Sequence, residues 1–205
     1  MATNSLAALR RLRQAREPEE RCELCGNPIE ARHRHLFEPS TRALVCACRA
    51  CTLLFDDGSE GRRYVAVPPD LTYLPSFQLD DVLWDELMIP VNLAFFVVSS
   101  TAGRPLALYP SPAGATESQL GLEAWERMVE ANPVLTGLET DVQALLVNRV
   151  GAARDHFIVP IDECFHLVGL VRLHWRGLSG STEVWAEIAT FFADLRTRAR
   201  VRKDA

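Results

Sequence analysis

The chain has 205 residues, of which 48% are hydrophobic and 24% charged, and its formal net charge is −5. This length allows one sizeable core with a small appendage, and the composition is that of an ordinary globular protein. The acidic groups concentrate in residues 64–190, which carry 16 acids against 6 arginines. Because nucleic-acid binding needs a basic surface that displaces counterions from phosphates, this balance argues against broad nucleic-acid binding.

The sequence shows neither an export signal nor a membrane span. The apolar residues near the start are followed at once by Arg10 and Arg11, unlike the apolar centre of a secretory signal. The longest apolar run, around residues 93–98, is far shorter than the ~20 residues of a membrane helix. Clustered thiols without an export signal favour a reducing compartment, so we expect a cytoplasmic protein.

Two segments precede the main body of the chain. Residues 1–17 are predicted to form a short helix, because Leu6, Leu9 and Leu12 lie on one helical stripe. Residues 18–63 are predicted to form a small separate module. Within it, residues 32–37 and 43–46 have the character of two strands joined by a turn, which predicts a β-hairpin.

Two Cys-x2-Cys pairs flank this hairpin, Cys22 with Cys25 and Cys48 with Cys51. Each pair directs two thiolates to one point, and the four sulfurs together suit a tetrahedral Zn²⁺ or iron ion. The spacing is close to that of four-cysteine zinc ribbons. We therefore predict a metal ion bound by these four cysteines, and we expect zinc because a bound metal replaces the core that so short a module lacks.

Iron is the alternative metal, because rubredoxins also bind it with four thiolates and sulfur ligation alone does not separate the two ions. The second pair departs from the rubredoxin pattern, since it lacks a proline after Cys48 and a glycine after Cys51. A fifth thiol, Cys46, is interpreted as a small buried apolar residue, with ligand exchange or a disulfide as alternatives. His33 and His35 are expected on a solvent-facing strand surface. The alternatives are that they donate hydrogen bonds to the thiolate sulfurs that bind the metal, or that they bind the metal themselves.

The remaining residues, 64–205, are predicted to form an α+β body with a mostly antiparallel sheet. Its predicted strands are residues 64–67, 93–98, 105–109 and 165–175, the last one central because it is apolar on both faces. Its predicted helices are residues 119–131, residues 140–149 and a final helix capped by Ser181 or Thr182. The expected fold class is therefore α+β, with an N-terminal zinc-ribbon-like hairpin packed on the body.

A further group of metal-type side chains surrounds Cys164, His166 and His174. On the predicted strand the two histidines would lie about 26 Å apart, too far to share one metal ion. The chain contains no P-loop, no dinucleotide fingerprint, no Gly-x-Ser-x-Gly and no His-Glu-x-x-His. We therefore expect no catalytic residues and no enzymatic activity.

Blocks of sequence at residues 22–26, 33–36, 41–55, 109–117, 141–147 and 170–177 occur in a fixed order. Together they resemble an actinobacterial protein family whose genes are often found beside [NiFe]-hydrogenase genes. The resemblance extends from about Cys22 to Leu195. It implies a cytoplasmic accessory role in hydrogenase expression, assembly or electron delivery, and it implies no catalytic residues.

Three functions follow from these patterns. The first is a non-catalytic zinc-binding accessory protein that contacts a protein partner, such as a hydrogenase subunit or maturation factor. The second is a rubredoxin-like one-electron carrier with iron in the four-cysteine site. The third is a zinc-ribbon regulator that binds nucleic acid, and the acidic body places it last.

Overall fold

The computed structural model describes residues 20–55, 62–177 and 180–203. The helix predicted within residues 1–17 lies outside these residues. The described part of the chain forms ten β-strands, five α-helices and one 3₁₀ helix, so the predicted α+β class is confirmed. None of the described helices is both long and apolar enough to cross a membrane.

Strands and helices are interspersed along the described chain. The strands are β1 Arg34–Glu38, β2 Ala43–Ala47, β3 Val65–Ala66, β4 Thr72–Tyr73, β5 Leu93–Ser99, β6 Arg104–Ser111, β7 Gly114–Ser118, β8 Gln143–Asn148, β9 Asp155–Pro160 and β10 Arg200–Val201. The helices are α1 Arg49–Phe55, α2 Asp81–Glu86, α3 Leu122–Ala131, the 3₁₀ helix Pro133–Gly137, α4 Ile161–His174 and α5 Thr182–Arg198.

The predicted N-terminal hairpin is confirmed as β1 and β2 in a three-stranded antiparallel sheet of order β2-β1-β3. Side chains alternate between the two faces of a strand. One face buries Leu36 and Ala47 in a small core with Cys22, Cys51 and Tyr64. The opposite face turns towards the rest of the protein. The hairpin therefore lies between the small core that contains the cysteines and the main body of the protein.

A seven-stranded sheet of order β10-β4-β9-β8-β5-β6-β7 forms the centre of the body. Its pairings are antiparallel except for that of β10 with β4. One face is covered by α4 and α5, and the other by α2, α3 and the 3₁₀ helix. The predicted 93–98 and 105–109 hairpin is confirmed as β5 and β6, and helix α3 begins after Gly121 within the predicted range of 119–131.

The helix predicted over residues 140–149 is wrong, because this segment contains strand β8. Ala144 and Leu146 pack in one core, and Leu145 and Val147 pack in the other. A strand buried on both faces is apolar at every position, so its twofold period is invisible in the sequence. Of the two predicted capping-box residues, Thr140 lies in a turn, in which Asp141 adopts a φ of 68°, and Gln143 begins β8.

The central strand predicted over residues 165–175 is also wrong, because these residues belong mainly to helix α4. The buried residues Cys164, Leu167, Val168 and Val171 follow the helical period and face the sheet. Apolar residues on the other sides arise because α4 also packs against α5 and the hairpin. The final helix, α5, is confirmed, and the Ser181 hydroxyl accepts a hydrogen bond from the Val184 backbone N–H.

The hairpin face that turns towards the body contacts the first turns of α4. Phe37 is buried in the core that the sheet forms with α4 and α5, and its ring centroid lies 6.4 Å from that of Phe165. The His35 ring donates to the Asp162 carboxylate at 2.9 Å. These contacts hold the four-cysteine module on one corner of the body.

Candidate metal centre

The first Cys-x2-Cys pair lies in a compact turn with three backbone hydrogen bonds. The Gly26 N–H donates to the Cys22 carbonyl at 2.8 Å, and the Cys22 N–H donates to the Asn27 carbonyl at 2.8 Å. Gly26 has a φ of 74°, a conformation that glycine adopts without steric cost. The Glu23 N–H donates to the Cys46 carbonyl at 2.9 Å, so the turn is tied directly to β2.

The second pair forms where β2 ends and α1 begins. Cys48 follows the last residue of β2, and Cys51 lies in the first turn of α1. The Cys51 N–H donates to the Cys48 sulfur at 3.5 Å, and the Thr52 N–H donates to the Cys48 carbonyl at 2.9 Å. A strand-to-helix transition therefore directs both thiols of this pair towards the first turn.

The four sulfur atoms lie within 4.8 Å of one another, and those of Cys25 and Cys48 are 3.7 Å apart. Four sulfurs at about 2.3 Å from a tetrahedral zinc ion are about 3.8 Å apart. The observed separation matches this spacing and is far longer than the ~2.05 Å of a disulfide. All six cysteines are free thiols, and the four clustered ones can hold a metal ion.

Burial and charge make this cluster unsymmetrical. Cys22 and Cys51 are buried, Cys48 is half-buried and Cys25 is exposed. Burial opposes ionisation of Cys22, but hydrogen bonds from the backbone of Cys48, Cys25 and Leu24 outweigh it and lower its pKa to about 6. Burial and the neighbouring thiols raise the pKa of Cys51 to about 12. Ionisation of one thiol is thus favoured, and ionisation of the others is opposed. A bound cation would neutralise the thiolates and so allow all four to ionise.

A second group of metal-type side chains lies on the hairpin face that turns towards the body. His33, His35 and Cys46 each place a possible ligand atom within 4.8 Å of the others. The expectation of a solvent-facing position for the histidines does not hold, since His33 exposes 9% of its side chain and His35 exposes 25%. Burial and the nearby Glu23 and Glu20 carboxylates raise the pKa of the Cys46 thiol.

The sequence analysis did not predict that these three residues lie together, although all three belong to one face of the hairpin. His35 and Cys46 face each other across β1 and β2 as direct partners. This register follows from the four-residue turn at residues 39–42, and His33 lies two residues before His35, on the same face. Counting outward from residues 37 and 43, the predicted strand ends, pairs Cys46 with Arg34 instead, so the observed register, in which Glu38 pairs with Ala43, was needed to find the group.

The group around Cys164 does not form a metal site among the residues that the structure describes. Cys164 is fully buried beneath the sheet, and burial raises its pKa well above the usual value. His166 is 62% exposed and lies beside Glu163, which raises its pKa. His174 contacts Glu183 at the far end of α4. The helix therefore separates these side chains.

The comparison with known proteins identified one matching family. Neither the curated proteins nor the solved structures contain a match to this chain. Residues 21–199 match the family described as "Family of unknown function (DUF5947)". The matched region begins just before Cys22 and contains both Cys-x2-Cys pairs, the second group and every strand of the central sheet except β10. Because the match covers most of its 205 residues, the chain belongs to this family of unknown function.

Proposed function

We propose that this protein is a non-catalytic zinc-binding accessory protein, in which Cys22, Cys25, Cys48 and Cys51 bind one zinc ion. The observation that carries the proposal is the 3.7 Å separation of the Cys25 and Cys48 sulfurs within a four-sulfur cluster. Zinc is favoured over iron because the second pair lacks the proline after Cys48 and the glycine after Cys51 that belong to the rubredoxin pattern. The module around the cluster has a small core: within the described residues its buried members are Leu36, Ala47 and Tyr64 besides two of the cysteines, and a few partly buried side chains pack on them. A structural metal therefore supplies stability that so small a core does not.

The accessory role rests on the surface next to this centre. Helix α1 follows directly on Cys48, and within the described residues Leu53 and Leu54 expose 72% and 70% of their surface. Neighbouring exposed apolar side chains are typical of protein-binding surfaces. We therefore propose that α1 contacts a protein partner while the zinc ion holds this helix in place.

The partner that we propose is a subunit or maturation factor of a [NiFe]-hydrogenase, in the cytoplasm. The support is the ordered resemblance between the sequence blocks of this chain and a family encoded near hydrogenase genes. The metal centre is compatible with this role, because it organises a surface and leaves catalysis to the partner. The acidic body, in contrast, gives no support to nucleic-acid binding.

Metal analysis and a visible absorbance spectrum of the full-length protein, purified anaerobically without added metal, test the zinc assignment. We expect zinc and no visible absorption. Replacement of the exposed ligand, Cys25→Ala, should release zinc, whereas Cys164→Ala should retain it because this thiol lies in the body core. A protein that contains no metal, or a Cys25→Ala variant that retains the full zinc content, would contradict the proposal.

The partner assignment needs a different experiment, which is affinity purification of the tagged protein from its native host. We expect a hydrogenase component to co-purify with the wild type and to be lost in a Leu53→Ser, Leu54→Ser double variant. The matched control is Leu173→Ser, which changes a similarly exposed leucine, 64% exposed, on α4. If no hydrogenase component is recovered with the wild type, the partner assignment is wrong, whatever metal the protein contains.

A rubredoxin-like iron carrier is the second candidate, and the exposure of Cys25 favours it. Electron transfer needs a metal whose ligands approach the surface, and this thiol provides such an edge. The same anaerobic preparation separates the two functions. Iron with thiolate-to-iron charge-transfer bands would establish the carrier, and a colourless, redox-silent protein would exclude it.

A further inference from the structure

The second group, His33, His35 and Cys46, has the geometry of a metal site in its own right. His35 and Cys46 are direct cross-strand partners in the hairpin, and the possible ligand atoms of the three residues lie within 4.8 Å of one another. The two imidazole rings lie with centroids 4.7 Å apart and planes at 63°. Imidazole nitrogen and thiolate sulfur are the ligands that zinc and related divalent ions prefer.

The hydrogen bonds of the two histidines leave one nitrogen of each ring for a metal. The Nδ1 of His33 lies 2.9 Å from the Glu30 carbonyl oxygen, which accepts its proton. The Nδ1 of His35 lies 2.9 Å from the Asp162 carboxylate, which accepts in the same way. In a neutral ring with Nδ1 protonated, the lone pair is on Nε2. Metal-binding histidines are held in this manner by a carbonyl or carboxylate on the other nitrogen.

The Nε2 atom of His33 supplies an independent observation. It is buried and has no hydrogen-bond partner among the described residues, in a side chain that is only 9% exposed. A buried nitrogen without a partner is destabilising, because it has lost its hydrogen bonds to water. A metal ion between this nitrogen, His35 and Cys46 would give the atom its missing partner.

This group is distinct from the four-cysteine centre because the two lie on opposite faces of the hairpin. Leu36 and Ala47, which alternate with His35 and Cys46 along the strands, are buried beside Cys22 and Cys51. The histidine face turns instead towards α4, where Asp162 holds His35. The ligand sets of the two centres have no residue in common.

An open cleft of about 560 Å³ adjoins the two histidines of the second group. The cleft is lined by His33 and His35 from the hairpin, by Asp162 and His166 from α4, and by Arg198 from α5. Arg198 is already paired with Glu163 at 2.8 Å and with Asp194 at 2.7 Å. Among the described residues, no fourth His, Cys, Asp or Glu has a ligand atom in the same cluster, so the set supplies three of the four tetrahedral positions.

We propose that His33, His35 and Cys46 bind a second divalent transition-metal ion of the zinc type, with water or an exogenous ligand in the open fourth position. Three protein ligands with one exchangeable position are typical of sites that handle a substrate or pass on a metal, whereas four-ligand structural sites are closed. The hairpin would therefore have a structural metal site on one face and a metal site with an exchangeable position on the opposite face. This proposal does not depend on which metal the four-cysteine centre binds.

The test is metal stoichiometry of the full-length protein, with Zn²⁺ and then Co²⁺ as the probes. The wild type should retain two equivalents after gel filtration in metal-free buffer. Cys46→Ala and His35→Ala should each retain one equivalent with an unchanged circular dichroism spectrum. The control His166→Ala, which removes an exposed histidine from the rim of the same cleft, should retain two.

Asp162 is a positioning residue, and its variant tests the orientation of His35. Asp162→Asn should weaken binding of the second equivalent by about 10–100-fold and leave the first unchanged. X-ray absorption spectroscopy of the fully loaded wild type tests the ligands without any variant. We expect nitrogen as well as sulfur atoms bound to the metal. A wild type that retains only sulfur-bound metal, or variants at Cys46 and His35 that still retain two equivalents, would overturn the proposal.

Discussion

Removal of the metal from the four-cysteine centre is expected to open the first Cys-x2-Cys turn while the seven-stranded sheet stays folded. None of residues 20–31 belongs to either core of the seven-stranded sheet, whereas the sheet is covered on both faces by these cores. The opening should therefore be local, as in other proteins whose regions differ in stability.

The magnitude follows from the contacts of this turn. Fixing the backbone of residues 20–31 costs about 12 kcal/mol at the low end of the usual range. Four backbone hydrogen bonds that begin or end in this segment contribute about 1 kcal/mol each. Burial of Leu36 and Tyr64 contributes about 5 kcal/mol together. Three side-chain hydrogen bonds of the segment contribute on a similar scale, so without metal the segment is marginal at best. A bound zinc ion, worth about 10–16 kcal/mol, stabilises it.

Hydrogen–deuterium exchange with and without a chelator measures this difference. With metal, the amides of Cys22, Glu23 and Gly26 should exchange only through global unfolding, at a cost of about 5 kcal/mol or more. After chelation their exchange should accelerate by at least about 10³-fold, while the amides of Leu93–Ser99 in β5 keep their protection. The reasoning is refuted if the turn stays protected without metal, or if β5 loses protection at the same rate.

Two further predictions concern the body. Burial and the charge of Arg149 lower the pKa of His156 to about 4, so the unfolded chain takes up this proton more readily and stability falls as the pH drops from about 6.5 towards 4. Denaturant titrations should show the wild type losing about 2 kcal/mol more than His156→Phe between about pH 7 and pH 5, and equal losses would disprove this assignment. A Cβ at Gly121 would lie 2.4 Å from the Glu86 carbonyl oxygen, whereas one at Gly169 would meet no atom within 4 Å. Thermal unfolding should therefore show Gly121→Ala destabilised by about 1–3 kcal/mol and Gly169→Ala stabilised by up to about 1 kcal/mol, and the opposite order would contradict the packing described.

The parts of this protein that could be predicted from sequence depend on interactions between residues close along the chain. The Cys-x2-Cys turns need only residues three positions apart, and Ser181 caps α5 through a backbone N–H three residues later. The β1–β2 hairpin needs only its short turn and two apolar runs. Local geometry and hydrogen bonding are sufficient to specify such features, so they can be recognised from the sequence alone.

Segments that are buried on more than one side are not predictable in this way, because burial on several sides removes the periodicity on which such predictions depend. Strand β8 contributes to both cores, and its sequence favours a helix. Helix α4 packs against the sheet, α5 and the hairpin, and its sequence favours a strand. In both cases the neighbours in space decide between helix and strand, and the apolar run itself does not.

By itself, then, the sequence determined the four-cysteine cluster, the hairpin that joins its halves and the α+β class. Only the tertiary structure decided which segments form the central sheet, and only it placed the N-terminal turn of α4 against the hairpin. His35 contacts Asp162 across 127 positions of sequence, and no local pattern encodes so distant a contact. The proposed second metal site uses this contact, because Asp162 can orient the His35 ring only when the hairpin packs on the body.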